Sequence, residues 1–231
     1  MASKSPEDEI PKMKPIRYLV LALCLGLLAS MSFTSQAAEN PRAIAHFEAG
    51  ITAYEANDLP TAYKEFLAAA QEGHADSQFN VGLMYEKGIG VAQDEKEAVI
   101  WYGKSALQGN AAAQYNLGVL YENGLGTGID YAKANEWYRK ASLQGDALAI
   151  GNLGMLYVRG QGVKENKVAG VALLLVSATM DPSPENHARQ NLAATRGLTT
   201  EMIVEAQELA GKMSDGQILL EPLDQYLVDS E

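Results

Sequence analysis

The sequence predicts an all-α solenoid of antiparallel helix pairs, with capping helices at its C-terminal end. Three observations predict it. First, a 36-residue pattern recurs: Ala75, Gly82, Tyr85, Gly88, Gly90, Asp94, Ala98, Trp101, Tyr102 and Gly109 return as Ala111, Gly118, Tyr121, Gly124, Gly126, Asp130, Ala134, Trp137, Tyr138 and Gly145. A third copy keeps Ala147, Gly154, Tyr157, Gly160 and Gly162, then relaxes to Asn166, Gly170, Leu173 and Leu174. Second, apolar residues inside each copy fall at helical spacings. Third, a glycine doublet divides each copy, and glycine breaks a helix because it enters positive φ without a Cβ clash. Two short amphipathic helices cannot bury both faces alone, so such units stack on their neighbours.

The chain has 231 residues, enough for one sizeable domain with appendages. Residues 1–37 read as an N-terminal extension and signal peptide. The apolar run 16–33 follows Lys12, Lys14 and Arg17 and precedes Thr34-Ser35-Gln36-Ala37-Ala38. A basic start, an apolar centre and a small-residue exit describe a secretory signal. Cleavage is expected after Ala37, and Met13 is the more typical start, because the preceding SPEDEIP stretch is acidic. The expected location is periplasmic or secreted. The alternative is an uncleaved inner-membrane anchor facing the periplasm, since about 18 apolar residues just span a bilayer. The one cysteine, Cys24, lies in this run, so a mature chain would hold no disulfide.

A first, short helix pair is expected over residues 38–73. Phe47, Gly50, Ala53 and Tyr54 mark one helix, and Ala62, Phe66, Ala70 and Gly73 the other. Asn57-Asp58-Leu59-Pro60 supplies a tight turn in place of the glycine doublet. Full repeats follow at 74–109 and 110–145, with a divergent one at 146–181. In the first of these a helix over 76–87 carries Phe79, Val81, Leu83 and Tyr85. Asp94 then caps a second helix that places Ala98, Trp101, Tyr102 and Ala106 on an apolar stripe. Gly82, Gly118 and Gly154 let helices approach closely. Tyr85, Tyr121 and Tyr157 are expected to fill the gap between the helices of a pair. Trp137 is expected in the core, where truncation to Ala costs about 3–5 kcal/mol. Asp181-Pro182-Ser183-Pro184 ends the pattern. Over 182–213, capping helices are expected at 185–195 and 200–213, the second with Met202, Ile203, Ala206, Leu209 and Ala210 on one side. The acidic tail, 214–231, is left to pack back, stay loose or dock elsewhere.

The string Leu117-Gly118, Tyr121, Gly124, Gly126, Asp130, Ala134, Trp137-Tyr138, Lys140 and Gln144-Gly145 resembles the Sel-one-like repeat (SLR) family of tetratricopeptide-like proteins. The resemblance spans roughly residues 47–180, and 198–210 is similar to the family's terminal helix. It implies a right-handed superhelix serving as a non-enzymatic adaptor, with bacterial exported members acting in the envelope or on host cells. A cysteine-rich branch is linked to β-lactam binding and hydrolysis; this chain lacks the cysteines within the repeats that mark it. An envelope hydrolase or cell-wall-ligand receptor is therefore the alternative reading.

In related stacks the first helices line a concave groove. Asn80, Asn116 and Asn152 recur there at the repeat period, and an Asn both donates to and accepts from a ligand backbone. The competing reading is that they tie neighbouring repeats together. Residues that differ among copies are the specificity candidates: Phe79, Tyr115 and Gly151 just before each Asn, and Leu83, Val119 and Met155 three after it. Ordinary core packing is the alternative for these. Glu86 and Glu122, facing the helix ends, read as solvated surface, with an acidic rim as the alternative.

No catalytic, cofactor or metal site is expected. Gly103-Lys104-Ser105 mimics the end of a phosphate loop, but Ala98 stands where the first Gly belongs. His46, His74 and His187 have no Cys or His at metal spacing. The formal charge of −11 disfavours nucleic acid. The expected partner is a protein or peptide, with membrane contact only through 16–33 if that run is retained.

Overall fold

The computed structural model describes residues 40–216 and 218–230. Residues 1–39, which carry the signal, start-site and anchor readings, lie outside them. Among the described residues there are eleven helices and no strand. Four consecutive pairs form the stack: α1 (Pro41–Glu55) with α2 (Leu59–Gln71), α3 (Ala75–Lys87) with α4 (Glu95–Leu107), α5 (Ala111–Asn123) with α6 (Tyr131–Ser142), and α7 (Ala147–Arg159) with α8 (Lys167–Met180). Each helix packs on its partner and on the next helix in the chain. None of the described helices is long and apolar enough to cross a membrane.

The caps explain where the helices begin and end. His74, Asn110 and Asp146 each accept the backbone N–H three residues on, opening α3, α5 and α7. Asp94, Asp130 and Asn166 do the same for α4, α6 and α8. Gly88, Gly124 and Gly160 close the first helices in the left-handed conformation. The second glycine of each doublet fits a contact between repeats. A Cβ on Gly126 would collide with the Glu95 carbonyl oxygen at the start of α4, and the φ there is +67°. The loop of one repeat therefore lies over the second helix of the preceding one.

Within a pair, the seam is filled by the tyrosine of the second helix. Tyr102 and Tyr138 are wholly buried. A Cβ on Gly82 or Gly118 would stand 2.7 or 2.6 Å from their rings. The Tyr85 series does something other than expected: it joins pairs instead of filling them. Tyr85 meets Tyr63 of α2 edge-on, with ring centroids 5.7 Å apart and hydroxyls at 2.7 Å. Tyr157 likewise faces Arg139 and Asn135 of α6. Trp137 also departs from expectation. It is only half-buried, with the Lys140 ammonium 4.0 Å from its ring centre. The neighbouring Tyr138 takes the core place because the following turn puts it, and not the Trp, against Gly118.

The C-terminal helices close the stack. α9 (Ala188–Ala194) is shorter than the 185–195 expected, because Ser183–Asn186 is spent on a turn. Asn186 is buried there. Its amide donates to the carbonyls of Ser177 and Asp181, both at 2.9 Å, and its Oδ1 accepts from Ala188 N–H. α10 (Thr200–Asp215) starts on Thr199, which accepts from Met202 N–H, and packs along α8. Covered by α7, α9 and α10, α8 is buried nearly all round, which accounts for the uninterrupted run Val168 to Leu174. The acidic tail packs back: α11 (Glu221–Asp229) buries Leu223 beside Leu220, and Asp224 receives Arg139 of α6 through both oxygens at 2.5 and 2.7 Å. The tail thus lies on the second-helix layer.

Candidate functional site: the first-helix face

Helical spacing aligns one row of residues along each first helix. Gly50 meets Phe66 as Gly82 meets Tyr102, which sets the register of α1. On α1 the row is Ile44, Glu48, Ile51 and Glu55; on α3 it is Asp76, Asn80, Leu83 and Lys87; on α5 it is Ala112, Asn116, Val119 and Asn123. Glu48, Glu55, Lys87, Ala112 and Asn123 are exposed. The face is lined by charged and amide side chains, with apolar points at Ile51, Leu83 and Val119.

The asparagine ladder has an internal partner in two of its three rungs. Asn152 Nδ2 donates to the Tyr138 hydroxyl at 3.1 Å, and that hydroxyl donates to Glu122 Oε2 at 2.7 Å. Asn116 is hydrogen-bonded to Tyr102, whose hydroxyl donates to Glu86 Oε2 at 2.7 Å. Each relay runs from the first helix of one repeat, through the second helix of the previous one, to the end of that repeat's first helix. At the corresponding place before Asn80 stands Phe66, which has no hydroxyl. Burial, with Glu86 and Glu122 beside them, pushes the Tyr102 and Tyr138 phenols far above their ordinary range.

The variable candidates occupy the seams between successive first helices. Phe79 stacks on Tyr102 at 5.7 Å and Tyr115 on Tyr138 at 6.1 Å between ring centres. Leu83 packs with the Ala113–Leu117 cluster, and Val119 with the cluster around Ile150 and Leu153. All four are half-buried. Met155 packs against the cluster of Leu174, Ala178 and Ala188, the last of these on α9, so the last seam is already covered. Gly151 breaks the aromatic series for the same reason: a Cβ there would stand 2.9 Å from Ser177 Oγ and 3.7 Å from Asn186 Oδ1.

Residues the sequence reading passed over carry much of this geometry. Gln108 Nε2 donates to Gln78 Oε1 at 2.7 Å, and Gln78 donates to the Ala70 carbonyl at 3.1 Å; Gln144, Gln114 and Ala106 repeat the arrangement at 2.8 and 3.1 Å. Their 36-residue spacing is a readable signal. Asn186, being unique, offers none. Among the described residues, no three His, Cys, Asp or Glu side chains are grouped to hold a metal ion. His46 pairs with Glu65 at 2.6 Å and His74 serves as a helix cap.

Stacked helix pairs with an open first-helix face define a repeat-scaffold protein, a class whose fold is typically non-catalytic. The Sel1 repeat description matches residues 75–110, 111–146 and 147–182, and the chain belongs to the Sel1 repeat family. The family generally mediates protein–protein interaction. The crystal structure of a Sel1 repeat protein from Oxalobacter formigenes superposes with a TM-score of 0.60 at 31% identity, over 77% of this chain and 75% of that one. A second similar structure is c5321, a protective antigen of uropathogenic Escherichia coli strains with an SLR fold. Its TM-score is 0.50 at 26% identity, over 74% of this chain and 45% of that one. A curated relative, DAP3-binding cell death enhancer 1 of Rattus norvegicus, is 47% identical over 49 residues, 21% of this chain. The match spans only 10% of that relative.

Proposed function

We propose that the chain is a non-enzymatic scaffold of the bacterial cell envelope that binds a protein segment along its first-helix face. One observation carries the reading. The tail and α10 occupy the second-helix layer at α6 and α8, and α9 covers the last first-helix seam at Met155, whereas none of these helices packs on the row from Glu48 through Asn123. Asn80 and Asn116 on that face offer hydrogen bonds to an extended backbone, and Phe79, Tyr115, Leu83 and Val119 edge it with apolar surface. The run 16–33 would direct export.

The test is crosslinking capture from envelope fractions. Glu48→Arg and Ala112→Arg fill the face from exposed helical positions and spare the core. A Gln207→Arg variant on α10 is the control. Loss of a captured protein in both face variants and not in the control supports the reading. Equal capture by all three overturns it, and accumulation in the cytoplasm overturns the location.

A further inference from the structure

We infer that the segment held on the first-helix face is basic, its Lys or Arg side chains seated beside Glu86 and Glu122. This rests on the docking face proposed above and adds the partner's charge. The two layers of the stack carry opposite charge. The first helices α1, α3, α5 and α7 hold five carboxylates (Glu48, Glu55, Asp76, Glu86, Glu122) against three cations (Arg42, Lys87, Arg159). The second helices α2, α4, α6 and α8 hold four carboxylates against seven cations, despite the chain's formal charge of −11. Between α3 and α5 the face carries Asp76, Glu86 and Glu122 with Lys87 alone of opposite sign.

The carboxylates are held in place. Tyr102 and Tyr138 each donate to one oxygen, fixing Glu86 and Glu122 at equivalent points one repeat apart. Lys87 takes the other oxygen of Glu86 at 2.5 Å, and Glu122 Oε1 has no partner among the described residues. Next to them, the Tyr115 phenol is raised by burial and then by Asp146, Glu122 and Glu86, a sign of net negative potential at this seam. Equivalent points on neighbouring first helices lie one helix diameter, about 10–12 Å, apart, and an extended chain advances about 3.3 Å per residue. Two basic residues about three positions apart therefore reach both carboxylates, while the Asn amides between them meet the backbone.

A labelled octapeptide, Gly-Leu-Lys-Ala-Ala-Arg-Leu-Gly, tests this by fluorescence anisotropy with the purified chain, beside an analogue with Gln at both basic positions. In the Glu86→Gln/Glu122→Gln variant each Gln still accepts from its tyrosine, so the fold is retained and circular dichroism confirms it. The expected result is binding that weakens about tenfold or more in that variant and falls with added salt, since desolvated ion pairs are partly screened. A Glu208→Gln/Glu221→Gln variant makes the same charge change on exposed sites of the C-terminal helices, and its affinity is expected to stay within about twofold. Equal weakening in both double variants overturns the inference, because the attraction is then that of the whole chain. Equal binding of the Gln analogue, still blocked by Ala112→Arg, overturns the charge class and leaves the docking face standing. Binding of neither peptide, with envelope capture unchanged by Ala112→Arg, overturns both.

Discussion

Asn152 donates its side-chain amide to the Tyr138 hydroxyl across the boundary between two repeats, at 3.1 Å. This Asn thereby locks the stack. A half-buried hydrogen bond of this kind contributes about 1 kcal/mol. Asn152→Ala and Tyr138→Phe should each destabilise, and a double-mutant cycle in urea should show coupling of about 0.5–1 kcal/mol. Asn80→Ala, opposite Phe66 and its missing hydroxyl, should cost little. Any effect of Asn80→Ala on partner capture can then be read without a stability correction.

The aromatic pair of the middle repeat is unequal. Tyr138→Ala removes a fully buried ring and should cost about 3–5 kcal/mol. Trp137→Ala removes a half-buried ring under the Lys140 ammonium and should cost less than half of that. Thermal or urea denaturation of the two variants, side by side, checks the order.

Two glycines should respond to alanine with opposite sign. Gly126→Ala forces a Cβ onto the Glu95 carbonyl at a φ of +67° and should destabilise by about 2 kcal/mol or more. Gly103 lies inside α4, and a Cβ added there would meet nothing within 4 Å, so Gly103→Ala should stabilise by about 0.5–1 kcal/mol. The midpoint of urea unfolding, at unchanged slope, reports both.

Asp146 caps α7 from a largely buried place, and burial raises its pKa above the ordinary carboxylate value. A carboxyl with a raised folded-state pKa contributes stability below its unfolded pKa and loses that contribution as pH rises through the folded value. The preceding repeat has Asn110 at the same position, with the same cap bond at 2.8 Å. Asp146→Asn should therefore raise the melting temperature at pH 7, and the gain should vanish near pH 3, where both side chains are neutral. Calorimetry across that range checks it.

Much of this fold is legible in the sequence because the repeat spells the same physics several times. Gly88, Gly124 and Gly160 announce helix ends, and Asp94 and Asp130 announce helix starts, at one spacing. What the pattern conceals is direction. Period alone places Tyr85 and Tyr102 on apolar faces, but only the packing tells that Tyr102 fills its own pair while Tyr85 reaches back to Tyr63. The candidate site suffers from the same ambiguity: an Asn kept in three copies bonds the neighbouring repeat in two of them and not in the third. Features that occur once, such as Asn186 in its turn and Leu223 under the tail, leave no periodic trace and come from tertiary packing.

Gly151 and Asn186 have a consequence for how an array of this kind changes length. The space left by a missing side chain at 151 is shaped for one particular terminal turn, so the third repeat can be followed by that turn and by little else. The middle repeat has no such commitment. Its Asn116 and Gln114 engage the unit before it, and its Tyr138 accepts the unit after it. Growth or shrinkage of the array should thus happen by copying or deleting whole middle units, while the last one acts as a fixed terminus. Such proteins would vary in reach without ever redesigning their ends.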